Sequence, residues 1–127
     1  MAAATVTRTE WGYLVTGDTG ATTIYPLSDS AAAGQTAPTT YPEKYLDQTV
    51  RIRIKAMAFS GNATTATCVL TSGSASTSFF KFKCYDAGGG SLNGAGNFVF
   101  FGDQGIDVYN LIVTLSNAGD GLYIFTI

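Results

Sequence analysis

Short segments in which apolar and polar residues alternate recur along the chain, and they limit its fold more than any other feature. The clearest example covers residues 50–59, where three aliphatic residues alternate with three basic ones: Val50, Arg51, Ile52, Arg53, Ile54 and Lys55. A period of two places every second side chain on the same face, which is typical of a half-buried β-strand. The pattern therefore predicts strands rather than helices.

About eight such segments follow one another, and no convincing amphipathic helix lies between them. They cover residues 11–16, 21–25, 50–59, 64–70, 79–85, 98–101, 106–115 and 122–127. In a chain of 127 residues they predict a single-domain, all-β, antiparallel β-sandwich of jelly-roll-like type over residues 1–127. We also expect residues 1–9 to form an N-terminal arm and residues 26–43, rich in Ser, Ala, Thr, Gly and Pro, to form a long loop.

The chain contains no histidine and only seven Lys/Arg and nine Asp/Glu. Histidine moves protons near neutral pH and commonly binds metals, so its absence excludes Ser–His and Cys–His nucleophiles and most zinc sites. Carboxylates that are candidates for a calcium site are Asp18, Asp103, Asp107 and Asp120. Each lies in or beside a Gly-containing turn, where Asp ordinarily accepts backbone hydrogen bonds, and we favour that role. We therefore expect a non-enzymatic protein without a cofactor or metal.

The two cysteines, Cys68 and Cys84, are symmetric about residue 76 in a turn-like run. A hairpin in simple register would place their sulfur atoms opposite one another, within reach of a disulfide. The alternative is a pair of reduced thiols on the core face, because both cysteines alternate in phase with Leu70, Phe80 and Phe82. We favour the reduced form, since nothing in the sequence marks an oxidising compartment.

Five of the seven basic residues occupy alternating positions on two predicted strands: Arg51, Arg53, Lys55, Lys81 and Lys83. If the two strands share a sheet, these residues form a positive patch for docking onto an acidic partner. The alternative is an ordinary solvated face that keeps the sheet from pairing at its edge. Nucleic acid is not an expected partner, because aromatic residues do not interleave with the basic ones. Nor is a membrane, because no apolar run approaches the roughly 20 residues of a membrane helix.

Several predicted strands are apolar on both faces. In the last of them, Leu122 and Ile124 point one way while Tyr123, Phe125 and Ile127 point the other. A sandwich buries only one face of each sheet, so the second apolar face requires a cover from the long loop or from another subunit. We expect Tyr123, Phe125 and Ile127 to form an interface between copies of the chain.

Trp11 and Tyr13 are expected on one face of the same strand. Exposed aromatic rings stack on sugars in carbohydrate-binding sandwiches, although such residues more often belong to cores and interfaces. A carbohydrate-binding module, for a receptor or a glycan, is therefore the alternative to a structural assembly protein.

The chain resembles the small β-rich head-decoration, or cement, proteins of tailed bacteriophages. The resemblance extends over the whole chain and rests on its short polar lead, residues 2–10, on strands that begin at Trp11, and on Gly/Ser/Thr-rich turns. It implies a virion component, assembled in the host cytoplasm, that forms a homo-oligomer, with a trimer favoured, and clamps neighbouring capsid subunits. The lack of a secretory signal is consistent with that location. The N-terminal arm and the basic residues would then grip the capsid.

Overall fold

The structure is a computed structural model that describes residues 3–25, 32–37, 51–61, 66–73, 78–83 and 98–127. These residues form no helix, and so none that is long and apolar enough to span a membrane. They form ten strands: β1 (Thr5–Arg8), β2 (Gly12–Thr16), β3 (Thr22–Thr23), β4 (Arg51–Ser60), β5 (Thr67–Ser72), β6 (Ser78–Lys83), β7 (Phe98–Phe100), β8 (Ile106–Tyr109), β9 (Leu111–Leu115) and β10 (Gly121–Thr126). The prediction of an all-β fold is confirmed.

The strands form two antiparallel sheets that follow the jelly-roll order. The six-stranded sheet runs β1-β2-β10-β4-β7, with β8 beside β7 on the same edge of β4, and the four-stranded sheet runs β3-β9-β5-β6. One long antiparallel ribbon accounts for the pairing, and its successive strand pairs are β2 with β10, β3 with β9, β4 with β7 and β8, and β5 with β6. Rolling such a ribbon into two sheets produces a jelly roll, so the predicted jelly-roll-like sandwich is confirmed.

One hydrophobic core contains residues of both sheets. Leu122 and Ile124 project into it from the six-stranded sheet, and Cys68, which is fully buried, projects into it from the four-stranded sheet. Across the core the rings of Phe59 and Phe82 stack with centroids 5.8 Å apart. Alternation predicts such a contact, because every second side chain of each strand faces the same core.

The segment 106–115 was expected to form one strand, and this prediction is wrong. The chain turns at Asn110, whose φ of 52° lies in the left-handed region that Asn tolerates better than most residues. Strand β8 therefore pairs with β4, while β9 pairs with β5 in the other sheet. The turn is held where Gly73 N–H donates to the Asn110 carbonyl (3.1 Å).

Most of the described part of the expected N-terminal arm, residues 1–9, belongs to the six-stranded sheet rather than projecting from it. Residues 5–8 form β1, which pairs with β2, and Val6 is fully buried in the core. Of the expected loop 26–43, residues 32–37 are described and run along the outer edge of β1. Ala37 N–H donates to the Val6 carbonyl (2.7 Å), and Thr36 bridges to Thr7. The remainder of that loop lies outside the described residues.

The hairpin β5–β6 has a register different from the predicted one. The pairing is symmetric about residue 75 rather than residue 76, so Cys68 lies opposite Phe82 and not opposite Cys84. Cys84 lies outside the described residues. The predicted core-facing phase is confirmed for Cys68, Leu70 and Phe82, which are buried, and Phe80 packs against the same core while partly buried. Burial, and secondarily the nearby Asp120 carboxylate, raises the pKa of the Cys68 thiol.

Gly12→Ala tests the close approach between β2 and β10. A Cβ at residue 12 would overlap the carbonyl oxygen of Ile124, so the two central strands would have to separate. We expect this variant to lose roughly 1–3 kcal/mol of unfolding free energy, measured in urea. The matched control is Gly121→Ala in β10, where the nearest atom would be Thr16 Cγ2 at 3.5 Å, an ordinary contact. The control should change stability by less than about 1 kcal/mol; equal losses in both variants would contradict the proposed clash.

Cys68 should be inert in the folded protein. In a Cys84→Ser background, iodoacetamide should alkylate it at least about 100-fold more slowly than in the urea-unfolded chain, as followed by mass spectrometry. Because folding raises the pKa of this thiol, stability is retained below its ordinary pKa of 9.0 and falls as pH rises above it. Replacement of Cys68 by Ala should remove that part of the pH dependence. Rapid alkylation under native conditions would show that the thiol is accessible.

Candidate functional site

The outer face of the six-stranded sheet carries most of the large apolar side chains that the described residues expose. Trp11, Phe98 and Phe100 expose 66%, 57% and 53% of their surface, and Ile127 exposes 63%. On the outer face of the other sheet, Phe79 is exposed by 39%. Single exposed apolar residues are common on proteins, but a contiguous group on one face indicates a binding surface.

The apolar side chains form two parallel rows across three adjacent strands. In one row Phe98 of β7, Ala58 of β4 and Tyr123 of β10 lie side by side. In the other row the order is Phe100, Ala56 and Phe125. Each row therefore places an alanine between two aromatic residues. The alanines of β4 form a floor, and the aromatic residues of β7 and β10 form two walls.

Lys55 lies at one end of this floor because β4 contains a bulge. Phe125 pairs with Ala56 and the next residue, Thr126, pairs with Ile54, so Lys55 is the extra residue. Up to Ile54 the even-numbered residues face the core, whereas beyond the bulge the odd-numbered Met57 and Phe59 do. Bulges commonly re-aim side chains in this way. Here the bulge leaves both Lys55 and Ala56 on the outer face.

Most of these residues, together with Trp11 and Thr126, line an open groove of about 410 Å³, here called the aromatic groove. Its lining residues are Trp11, Lys55, Ala56, Phe98, Phe100, Phe125 and Thr126. The volume falls within the roughly 300–1,000 Å³ of typical binding pockets. Lys55 and Thr126 supply the polar side chains of the lining, so the groove suits an apolar group with a polar or anionic end.

Trp11 stands at the tip of the β1–β2 hairpin, residues 9–11, called the hairpin tip below. Thr9 N–H donates to the Gly12 carbonyl (2.8 Å) and Trp11 N–H donates to Thr9 Oγ1 (3.3 Å). The Trp11 carbonyl accepts a hydrogen bond from Thr126 N–H at 2.8 Å. These bonds hold the backbone of the tip against β10, so Trp11 projects from a defined position.

The structure does not bring the five predicted docking residues together. Arg51, Arg53 and Lys55 are on β4 of the six-stranded sheet, whereas Lys81 and Lys83 are on β6 of the four-stranded sheet. The outer faces of the two sheets point away from each other, so the condition for a single positive patch is not met. In addition, Asp107 of β8 pairs with Arg53 at 2.9 Å and with Arg51 at 3.8 Å.

The three residues expected at an oligomer interface all lie away from the core, as alternation predicted. Tyr123 and Phe125 are half-buried on the outer face, next to the alanine floor, while Ile127 is exposed beside the turn at Gly105. Their role in an interface stays a prediction.

The predicted aromatic pair for sugar binding, Trp11 and Tyr13, is separated. Tyr13 is 2% exposed and belongs to the core, with the Arg8 guanidinium 5.3 Å from its ring centroid. Trp11 precedes the first residue of β2 and faces solvent. The regular alternation that would join them does not extend through Gly12, where β2 begins.

Three of the four carboxylates considered for calcium, Asp18, Asp107 and Asp120, make contacts of other kinds. Asp18 Oδ1 accepts from Thr19 N–H, and Asp120 Oδ2 accepts from Asn117 N–H and the Ser116 hydroxyl. These are the turn roles that the sequence favoured. Within the described residues no group of three or more Asp, Glu, Cys or His is placed to hold a metal ion.

Sequence reasoning did not select the residues that shape the groove, above all Phe98, Phe100 and the two alanines. A usable signal was present, since Ala56 and Ala58 interrupt an otherwise bulky strand. Their neighbours across the sheet, however, depend on a register that the sequence does not reveal.

Comparisons with known proteins add no relationship. No protein-family model matches the chain, and neither a curated protein nor a solved structure is significantly similar to it.

Proposed function

We propose that this protein is a non-enzymatic structural protein that joins protein subunits through the outer face of its six-stranded sheet. The observation that carries the proposal is the aromatic groove, an apolar surface on a sheet whose other face already forms the core. Within that function, a virion component that decorates or cements a phage capsid, as a homo-oligomer bound to capsid protein, is the role that we favour.

The composition of this face supports a protein partner. Interfaces between proteins are enriched in aromatic residues and Arg, with an apolar centre and a polar rim. Here the aromatic groove forms the centre, and Arg51, Arg53 and Tyr109 lie on the neighbouring part of the sheet as exposed or half-buried residues. The face therefore has the residue types and the arrangement of a binding surface.

The fold supports the proposal by analogy. Jelly rolls occur in viral capsid proteins and in lectins, among other classes, so the architecture suits both candidate functions without choosing between them. The choice therefore depends on the chemistry of the groove.

Carbohydrate binding is the second candidate, and the exposed Trp11 favours it. A sugar-binding site also requires several polar groups that hydrogen-bond the hydroxyls. The groove lining offers the side chains of Lys55 and Thr126 for this purpose, and Tyr13 is in the core. A monomer that binds glycans on an array would support this candidate over assembly.

Phe100→Asp tests the proposed function. A charge in the wall of the groove should raise the dissociation constant of the oligomer by at least about 100-fold, because it places an unpaired carboxylate in an apolar contact. Sedimentation of the purified chain measures this, against a monomer mass of 13.3 kDa. Since Phe100 is 53% exposed, the variant should remain folded, which its urea unfolding curve checks.

The matched control is Phe79→Asp, an exposed aromatic residue on the outer face of the other sheet. It should sediment like the unmodified chain. A wild-type chain that stays monomeric at every concentration would overturn assembly through copies of itself. An oligomer that both variants leave intact would place the interface elsewhere.

A further inference from the structure

We infer that the aromatic groove receives the hairpin tip of a second copy, with Trp11 of one chain between the aromatic walls of the other and Glu10 against Lys55. This inference rests on the proposed function and specifies the partner of the same surface. Both elements of the contact, the groove and the tip, are present in one chain.

The hairpin tip has the chemistry that the groove requires. The groove offers apolar walls and one ammonium group, so its occupant should combine an apolar body with an anion. Glu10 and Trp11 are adjacent, and both are exposed. An indole is a large, rigid apolar group, and Trp is enriched among the residues that dominate interface energies.

Within the described part of the chain, the charges of Glu10 and Lys55 have no oppositely charged partner. Arg51 and Arg53 share Asp107, whereas neither Lys55 nor Glu10 forms an ion pair with a described residue. Contact between two copies would pair these two opposite charges. An exposed ion pair is worth little, but exclusion of water by the surrounding aromatic residues strengthens it.

The hairpin tip is ordered before it binds. Its backbone is tied to Gly12 and to Thr126 by hydrogen bonds of 2.8 Å each. A preformed tip loses less conformational entropy on docking than a flexible arm does.

The tip and the groove form one continuous patch, because Trp11 itself lines the groove of its own chain. A two-fold contact uses the same patch on both subunits, whereas a ring requires two separate surfaces. The contact is therefore reciprocal: the hairpin tip of each chain binds in the aromatic groove of the other. A larger assembly would then contain this pair as its unit.

Charge reversal tests the contact directly. Lys55→Glu and Glu10→Lys should each weaken self-association at least about tenfold, because each places like charges together at both contacts of the pair. Mixing the two variants should restore association to within about threefold of wild type, since in the mixed pair both contacts again join opposite charges. Sedimentation of each variant alone and of the equimolar mixture measures this.

Two matched controls accompany the reversals. Lys81→Glu changes an exposed strand lysine on the other sheet, and Asp103→Lys changes an exposed acid in another turn. We expect neither control variant, alone or mixed with the other, to change the dissociation constant of the oligomer by more than about twofold. Urea unfolding of all four variants verifies that each is folded.

The chain contains a single tryptophan, so its fluorescence reports on the tip itself. Emission of wild type should shift to shorter wavelength as concentration rises, and the shift should be absent in each single reversal and return in the mixture. A persistent oligomer in which reversals have no effect, while Phe100→Asp dissociates it, overturns this inference and leaves the proposed function standing. A monomeric wild type overturns this inference together with assembly through copies of the chain. An oligomer with odd subunit number overturns the reciprocal contact.

Discussion

The antiparallel pairing of β10 with both β2 and β4 is the interaction on which the rest of the structure depends. It joins the two ends of the described chain in the middle of the six-stranded sheet. Because side chains alternate along β10, Leu122 and Ile124 enter the core while Tyr123 and Phe125 lie outside. One strand therefore builds both the core and the candidate surface, and a register slip of one residue would exchange the two sets.

The class of fold could be predicted from the sequence because alternation is a local property that survives tertiary packing. The boundary between the sheets could not, because it depends on one residue in the left-handed conformation, Asn110, and Asn is also common in ordinary turns. The same limit applies to β1. Its sequence, Thr5–Arg8, contains one strongly apolar residue, and its place in the sheet is decided by pairing with β2.

The candidate surface was predicted in part, for a comparable reason. Phe125 could be placed on the outer face because it alternates with buried neighbours along one strand. The basic residues could not be grouped, because β4 and β6 belong to different sheets, and that assignment is a long-range property. Trp11 and Tyr13 were separated by a local irregularity at Gly12, where β2 and β10 approach too closely for a side chain.

The shape of the groove is difficult to explain by folding stability alone. Strand positions on a partly covered face favour β-branched or aromatic residues, and Ala is depleted there. Yet β4 carries Ala56 and Ala58 on its outer face, each between two aromatic residues of neighbouring strands. Larger residues at both positions would fill the floor and bury more apolar area against these rings. The small residues instead keep the walls apart, and the bulge adds a lysine at one end. An apolar depression with one charged residue at its end can bind a specific partner, whereas a flat apolar sheet would favour nonspecific association.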